Sequence, residues 1–373
     1  MKFEANKKDL LQALELATRF VSKNSTLPIL ENVAIVWKVD VLEIKATDMN
    51  KFINITLPAN IHSEWWITVN AKMLFDAIKI TDSDEILMEG KDDWTLFKIT
   101  SWSDKFEFVA IPINEYVAVP EIENDDTFVL DAWILSKGIE RVETSIPDKS
   151  FNTIITWMLL KSTWDYLAFV WTDSFRLAEY KVAEKVWKEF SLVIPKYALA
   201  EIKKVSDLAI ADESYEIKVK EDGKKISFSY KIWSFDILIK TNLLLGDYPS
   251  YEKIILPEYN FKIVVDKNLL EKAIRKVSLF SKDISYFTKF IPEEDKLTVS
   301  SWETELWEWI TQIPAIFEWD YFSFWVNWKS ILDFLKYVEW EEVIFNVYDD
   351  EKPILIKDQG DENYRFVIRP LKE

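Results

Sequence analysis

Glu303, Glu305 and Glu308 gather three carboxylates in one short stretch, and Asp173 follows Trp171 closely in the segment VWTDSFRL. Carboxylates flanking a sugar, with aromatic rings to stack on it, are the equipment of a glycoside hydrolase or a carbohydrate-binding protein. The chain has 18 Trp, but it also has 64 acidic residues, so carboxylate clusters arise by chance. Other chemistries lack their residues. With no Cys, disulfides and thiolate sites are excluded, and with one His a zinc site is not expected. That histidine, His62, lies in a polar stretch with no nucleophile or ligand motif beside it and reads as a surface residue. No GxxxxGK[ST] loop occurs, so nucleotide hydrolysis is not expected either. The sequence points to no catalytic residue, no metal and no required cofactor.

The elements that would position any site repeat. Three segments, KKDLLQALELATRFVSKN (7–24), DAWILSKGIERVETSIPDK (131–149) and DKNLLEKAIRKVSLFSKD (266–283), carry apolar residues three and four apart, as in Leu10, Leu14, Ala17 and Val21. That spacing makes one buried helical stripe. A second helical segment also recurs, beginning at residues 69, 194 and 326 as VNAKMLFDAIKI, IPKYALAEIKKV and VNWKSILDFLKY. Between and after them run alternating strand-like stretches such as VLEIKATD, YLAFVWTD and KLTVSSWE, and YEIKVKEDGKKISFSY holds a hairpin signal at EDG. The expected fold is α+β: three similar domains, each with two helices packed on antiparallel sheets, at 1–125, 126–258 and 259–373. The acidic EIENDD (121–126) and LPEYN (256–260) mark the joins.

A net charge of −18 argues on its face against nucleic acid, because phosphate binding normally appears as a basic excess. The distribution reverses that. Counted over 8–23, 131–149, 266–283, 69–80, 194–206 and 326–337, the six helical segments together carry +6 and leave −24 on the remainder. If their polar faces converge, Lys23, Lys72, Arg141, Lys196, Lys203, Arg275, Lys276 and Lys282 form a basic surface within an acidic body. No stretch approaches the ~18 uninterrupted apolar residues of a membrane span, and the first residues lack a signal-peptide core. A cytoplasmic protein with no membrane partner is expected.

The segments STLPILENVAI (25–35), WTDSFRLA (171–178), GDYPSYEKIILP (246–257), VNWKSILDFLKYVEWEEV (326–343) and the terminal FVIRPLKE, in that order, resemble the bacterial DNA polymerase III β subunits, the sliding clamps. The resemblance runs the whole length. It implies a head-to-tail homodimeric ring around duplex DNA, held by topology and by weak contacts without sequence specificity, that tethers the replicative polymerase as a processivity factor. It further implies that polymerase, clamp loader and repair proteins dock through short peptide motifs.

Carried over residue by residue, the resemblance assigns DNA contacts to Lys23, Asn24, Lys196 and Lys282, with Asn24 standing where a basic residue is common. It assigns the peptide pocket to Ile155, Thr172, Arg176, Leu177, Pro249, Lys253, Ile254, Val367, Ile368, Pro370 and Leu371, with Asn327 and Ser330 at the rim. Leu177, Ile254, Ile368 and Leu371 are expected to form one apolar floor. Ser174 and Phe175 depart from the commoner Gly and His. Ring closure would bring Lys72, Lys105, Phe106 and Phe108 against Leu279, Phe280, Glu303, Glu305 and Glu308.

Where the family has turn or tight-packing glycines, this chain has Trp65, Trp66, Trp102, Trp157, Trp319, Trp325 and Trp340. Only five Gly are present, and the 18 Trp and five Gly together make about 6% of the chain, near the usual ~7% for glycine. The expectation is a gene that uses UGA for glycine, rendered here as tryptophan.

Overall fold

The computed structural model describes residues 2–371 apart from 24, 39, 60–64, 91–95, 102–103, 112–115, 118–120, 123–126, 146–153, 185, 187, 282–285, 302–308 and 318–321. His62, Asn24, Lys282, Glu303, Glu305, Glu308, Trp102 and Trp319 lie outside the described residues, and so does the side chain of Phe280. The described chain forms two compact units, one from 1–136 with 194–245 and one from 137–193 with 246–373.

Six α-helices are described: α1 (Lys7–Ala17), α2 (Ala71–Ile80), α3 (Ala132–Val142), α4 (Lys196–Ala211), α5 (Lys267–Ser281) and α6 (Trp328–Leu335). Asparagine starts three of them. The Asn6, Asn70 and Asn327 side chains each accept a main-chain N–H from the first turn, satisfying donors that have no partner inside a helix. Asp266 does the same for α5, accepting from Leu269 at 2.8 Å. Leu10, Leu14 and Ala17 are fully buried, as their spacing requires. α1 is shorter than the apolar stripe suggests. The Thr18 hydroxyl donates to the Glu15 carbonyl at 2.9 Å, the chain turns so that Phe20 is 1% exposed, and Val21 falls beyond the helix.

In the first unit an eight-stranded sheet runs Trp65–Asn70, Asn32–Lys38, Val41–Thr47, Lys51–Pro58, Phe235–Asn242, Lys225–Ile232, Glu216–Glu221 and Thr127–Asp131. A four-stranded sheet runs Lys2–Asn6, Glu85–Gly90, Leu96–Ser101 and Asp104–Val109. The second unit holds a twelve-stranded sheet in which Phe190–Ile194, Met158–Ser162, Leu167–Thr172 and Arg176–Val182 continue into Asp361–Ile368, Ile354–Asp358, Glu342–Val347 and Phe261–Asp266. It ends in Ile310–Phe317, Lys296–Ser301, Phe287–Glu293 and Phe324–Asn327. Every described pairing within the twelve-stranded sheet is antiparallel. The EDG hairpin forms as expected, with Gly223 at φ +78°. Trp171 is not in the turn that follows it; it is the last residue but one of a fully buried strand and is 1% exposed.

Candidate functional site

Two turns are built alike, one in each unit. Residues 47–51 (TDMNK) join Val41–Thr47 to Lys51–Pro58, and residues 172–176 (TDSFR) join Leu167–Thr172 to Arg176–Val182. In each, the threonine hydroxyl donates to the main-chain oxygen of the basic residue, at 3.0 Å to Lys51 and 2.7 Å to Arg176. The aspartate accepts two main-chain N–H groups at 2.9 Å, from Asn50 and Lys51 in one turn and from Phe175 and Arg176 in the other. The third residue is left-handed, φ +76° at Met49 and +75° at Ser174, a conformation that favours glycine. The oxygens of Asp173, which also receive Arg176 Nε at 3.0 Å, are therefore taken up in closing a turn. Acid–base chemistry is not their role.

The basic residue of each turn then ties down a helix. Lys51 Nζ stands 3.2 Å from Glu201 on α4 and donates to the Arg19 carbonyl at 2.8 Å, while Arg19 Nε donates to the other Glu201 oxygen. Arg176 Nη1 reaches Asp333 on α6 at 2.9 Å. Strand pairing begins at the same residue in both, Lys51 with Thr241 and Arg176 with Ile368. With side chains 14% and 15% exposed, the Arg176–Asp333 pair is partly desolvated, and each partner also keeps a second ion pair, Arg176 with Asp173 and Asp333 with Lys336. Asp333→Ala is expected to lower stability by about 1.5 kcal/mol, and Arg176→Ala combined with it by less than the sum, a cycle readable by urea denaturation.

Around the second turn the structure gathers most of the expected pocket residues. Leu177 pairs with Val367, and Val367 with Leu355, so these three, each 2–3% exposed, form an apolar row on one face of the sheet. Neighbouring strand residues face opposite ways, so Ile368, paired with Arg176, belongs to the other face, and the single floor expected from Leu177, Ile254, Ile368 and Leu371 is not formed. Ile155 lies buried in a short 3-10 turn, Ile154–Thr156, that packs on Leu167–Thr172. Thr172 and Ser330 are buried, and Asn327 is committed to capping α6.

The accessible apolar surface comes from elsewhere. Phe175 is 67% and Ile254 40% exposed, beside exposed Pro249 and Lys253 and half-buried Leu371. The tail is held in place by main-chain bonds, Arg369 N–H to the Phe175 carbonyl at 2.8 Å and Leu371 N–H to the Trp325 carbonyl at 2.9 Å, which leave Pro370 buried. The short helix Tyr251–Ile254 is pinned by the Tyr251 hydroxyl, which donates to Glu179 at 3.0 Å, and by the Lys161–Glu252 bridge. Burial pushes the Glu252 carboxyl up, but Lys161, a main-chain N–H and Lys181 together outweigh it and the net shift is downward. The bridge is therefore in place above the ordinary carboxylate pKa and is lost as pH falls through the lowered one.

Lys23 and Lys196 are exposed, and neither carries an ion pair among the described residues. Lys23 borders a depression of about 910 Å³ beside turn 47–51, and Lys72, assigned above to ring closure, lines the same depression. Arg141 corrects the basic-surface expectation. Its side chain is 3% exposed, bonded to Glu339 at 2.5 Å and seated over the Tyr364 ring, so it is unavailable to a phosphate. Lys203 and Arg275 are partly neutralised by Asp207 and Glu271.

The residues expected at a subunit interface divide. On the strand Asp104–Val109, Phe108 turns inward against Phe97, Phe106 is half-buried and Lys105 pairs with Glu107, while Leu279 is 73% exposed. Sequence reasoning missed Val109, Ile310 and Ile316, 81%, 53% and 63% exposed on strands. Their signal was available: apolar residues at the outward positions of alternating strands.

Among the described residues no group of three or more His, Asp or Glu side chains is arranged to hold a metal, and no helix is long and apolar enough to cross a membrane.

Family profiles match almost the entire chain, those of the DNA polymerase III beta subunit N-terminal domain over 1–120, its central domain over 130–250 and its C-terminal domain over 253–372. The beta sliding clamp of Chlamydia pneumoniae is 25% identical over 375 residues, which cover 100% of this chain and 99% of that protein. Among solved structures, the DNA polymerase sliding clamp of Bacillus subtilis is similar at a TM-score of 0.92 and 22% identity, covering 100% of this chain and 99% of that one. A sliding clamp of Pseudomonas aeruginosa bound to griselimycin is similar at a TM-score of 0.91 and 20% identity, with 100% of both chains covered.

Proposed function

The chain belongs to the DNA polymerase III beta subunit family and is a sliding clamp, and from that premise we propose that two copies close head to tail around duplex DNA and dock partner peptides on the face that holds Leu177 and Ile254. It is a non-catalytic processivity factor of the replicative polymerase, and the carbohydrate reading is set aside with its carboxylates. We place its three domains at 1–125, 126–258 and 259–373 and its work in the cytoplasm.

The observation that carries ring closure is the unpaired third junction. At the first two, Lys51–Pro58 pairs with Phe235–Asn242 and Arg176–Val182 with Asp361–Ile368. Of the strands in the corresponding places, Asp104–Val109 ends its sheet, and Ile310–Phe317, although it lies between Lys296–Ser301 and Phe261–Asp266, pairs with the latter only at 315–317, which leaves Ile310–Pro314 without a strand partner on that side among the described residues. A strand edge left open invites another strand. Because the two edges differ, joining them is heterologous, and two copies close it.

Duplex DNA then needs only phosphate contacts that permit sliding, and we assign these to Lys23, Lys196 and Lys282, with Asn24 beside them. Replacing the three lysines with Gln is expected to flatten the salt dependence of DNA binding by roughly two to three in the slope of log K against log salt, without creating sequence preference. An unchanged slope would move the contacts elsewhere. The docking face is proposed to receive polymerase, clamp loader and repair proteins through short peptides, in the manner of helix or strand segments captured in an apolar groove. Its support is the exposure of Phe175, in the turn just before the strand of Leu177, and of Ile254 on the short helix Tyr251–Ile254.

We also retain the reading of tryptophan as recoded glycine. Trp233 occupies a two-residue hairpin turn at φ +53°, where a large side chain is strained by about 1–3 kcal/mol. The indole N–H groups of Trp171 and Trp328 are buried with no acceptor. Trp164 and Trp340 expose 61% and 56% of their surface. In protein made with tryptophan, Trp233→Gly is expected to raise stability by about 1 kcal/mol. Mass spectrometry of the native peptide spanning residues 166–176 decides the identity at 171: a tryptophan there ends the recoding account.

A further inference from the structure

Two residues along the strands from the apolar row, on the same face of the sheet, lies a charged one. Leu177, Val367 and Leu355 are followed at the next same-face positions by Glu179, Arg365 and Lys357, with Glu179 opposite Arg365 and Arg365 opposite Lys357. The rows are about 7 Å apart at the rise of an extended chain. The charged row lines a groove of about 420 Å³ with Lys181, Glu252, Asn346 and Tyr259.

The charges do not balance inside the groove. Glu179 is fully buried, and its one carboxylate serves Lys181 at 3.3 Å, Arg365 at 3.5 Å and the Tyr251 hydroxyl. Glu252 is engaged by Lys161. Lys357 is half-buried and has no ion pair among the described residues. A chain with a net charge of −18 thus keeps a local cationic excess against its own average.

The strand junction does not require these charges. At the corresponding register of the other junction, Asn54 stands opposite Leu238 and Leu238 opposite Ser229, so the places of Glu179, Arg365 and Lys357 are held by uncharged residues. The same antiparallel pairing forms there without them. The charged row is a property of the junction that carries the docking face.

We propose that this row is a second subsite, which takes the acidic residues flanking a docked partner peptide. The proposal rests on the peptide-docking reading above. Lys357 supplies the free cation, Arg365 and Lys181 share theirs between Glu179 and the incoming carboxylate, and the fixed fork of Arg365 suits a planar acid.

The test starts from a fluorescein-labelled peptide selected for binding that Leu177→Lys abolishes, extended at either end by three Asp or by three Ser. Fluorescence anisotropy at low salt is expected to give about threefold to tenfold tighter binding for the Asp extension at one end, fading as salt rises. Lys357→Gln should reduce that preference and Lys357→Glu remove it, while the Ser-extended peptide binds both variants as it binds the parent. Equal affinity for Asp and Ser extensions, or a preference untouched in Lys357→Glu, overturns the subsite and leaves the docking reading standing. If no selected peptide depends on Leu177, the docking reading falls and the subsite with it.

Discussion

Leu177→Lys is expected to weaken docking-peptide binding by at least about a hundredfold while leaving the subunits associated. Leu177 is 2% exposed at one end of the apolar row, and an uncompensated ammonium there costs the transfer of the leucine, ~2 kcal/mol, together with the burial of a charge. Any peptide resting on the surface that this buried row supports loses that support. Because a buried charge also strains the fold, Ile254→Asp supplies the companion: Ile254 is 40% exposed on the short helix held by Tyr251, and its replacement leaves the core untouched. Deleting residues 369–373 removes the tail that bonds to Phe175 and Trp325 and should have the same effect. Parent-like affinity in folded Ile254→Asp and in the deletion, by anisotropy, would place docking elsewhere.

Charging the open edges is expected to separate the subunits. Leu279 and Ile310 are 73% and 53% exposed, and burying two such side chains between subunits is worth roughly 3–6 kcal/mol. Leu279→Glu with Ile310→Glu should raise the dimer dissociation constant on the order of a thousandfold, at unchanged melting behaviour of each chain. Sedimentation showing monomers at micromolar protein is the expected outcome, whereas dimers at that concentration would contradict the edge-to-edge closure. Val109→Glu approaches the same interface from the partner edge and should behave alike.

Much of the architecture was legible in the sequence because local patterning and tertiary use agree. The asparagine or aspartate before each of α1, α2, α5 and α6 marks a helix start that the structure uses as a cap. Leu10, Leu14 and Ala17 marked a face that is buried. Where the reading failed, the deciding partner was remote. Arg141 looked like a cation on a helix's polar face, but Glu339, far along the chain, takes it into the interior. Ile368 looked like pocket floor until pairing with Arg176 fixed its side of the sheet. The charged row of Glu179, Arg365 and Lys357 exists only through strand register, which no local pattern states. The two matching turns were visible as TDMNK and TDSFR, yet their common task, tying a strand crossing to a helix acid, needed Glu201 and Asp333 in view.

The central claim is that the protein holds DNA by enclosing it. The most direct measurement loads labelled protein with its ATP-dependent loader onto closed circular duplex, isolates the complex by gel filtration in moderate salt, and then cuts the circle once. Retention on the closed circle followed by loss within minutes of cutting is the result predicted, since a weakly contacting ring leaves by sliding off an end. Protein that stays on the cut DNA as firmly as on the circle, or that never remains on the circle, would contradict the account.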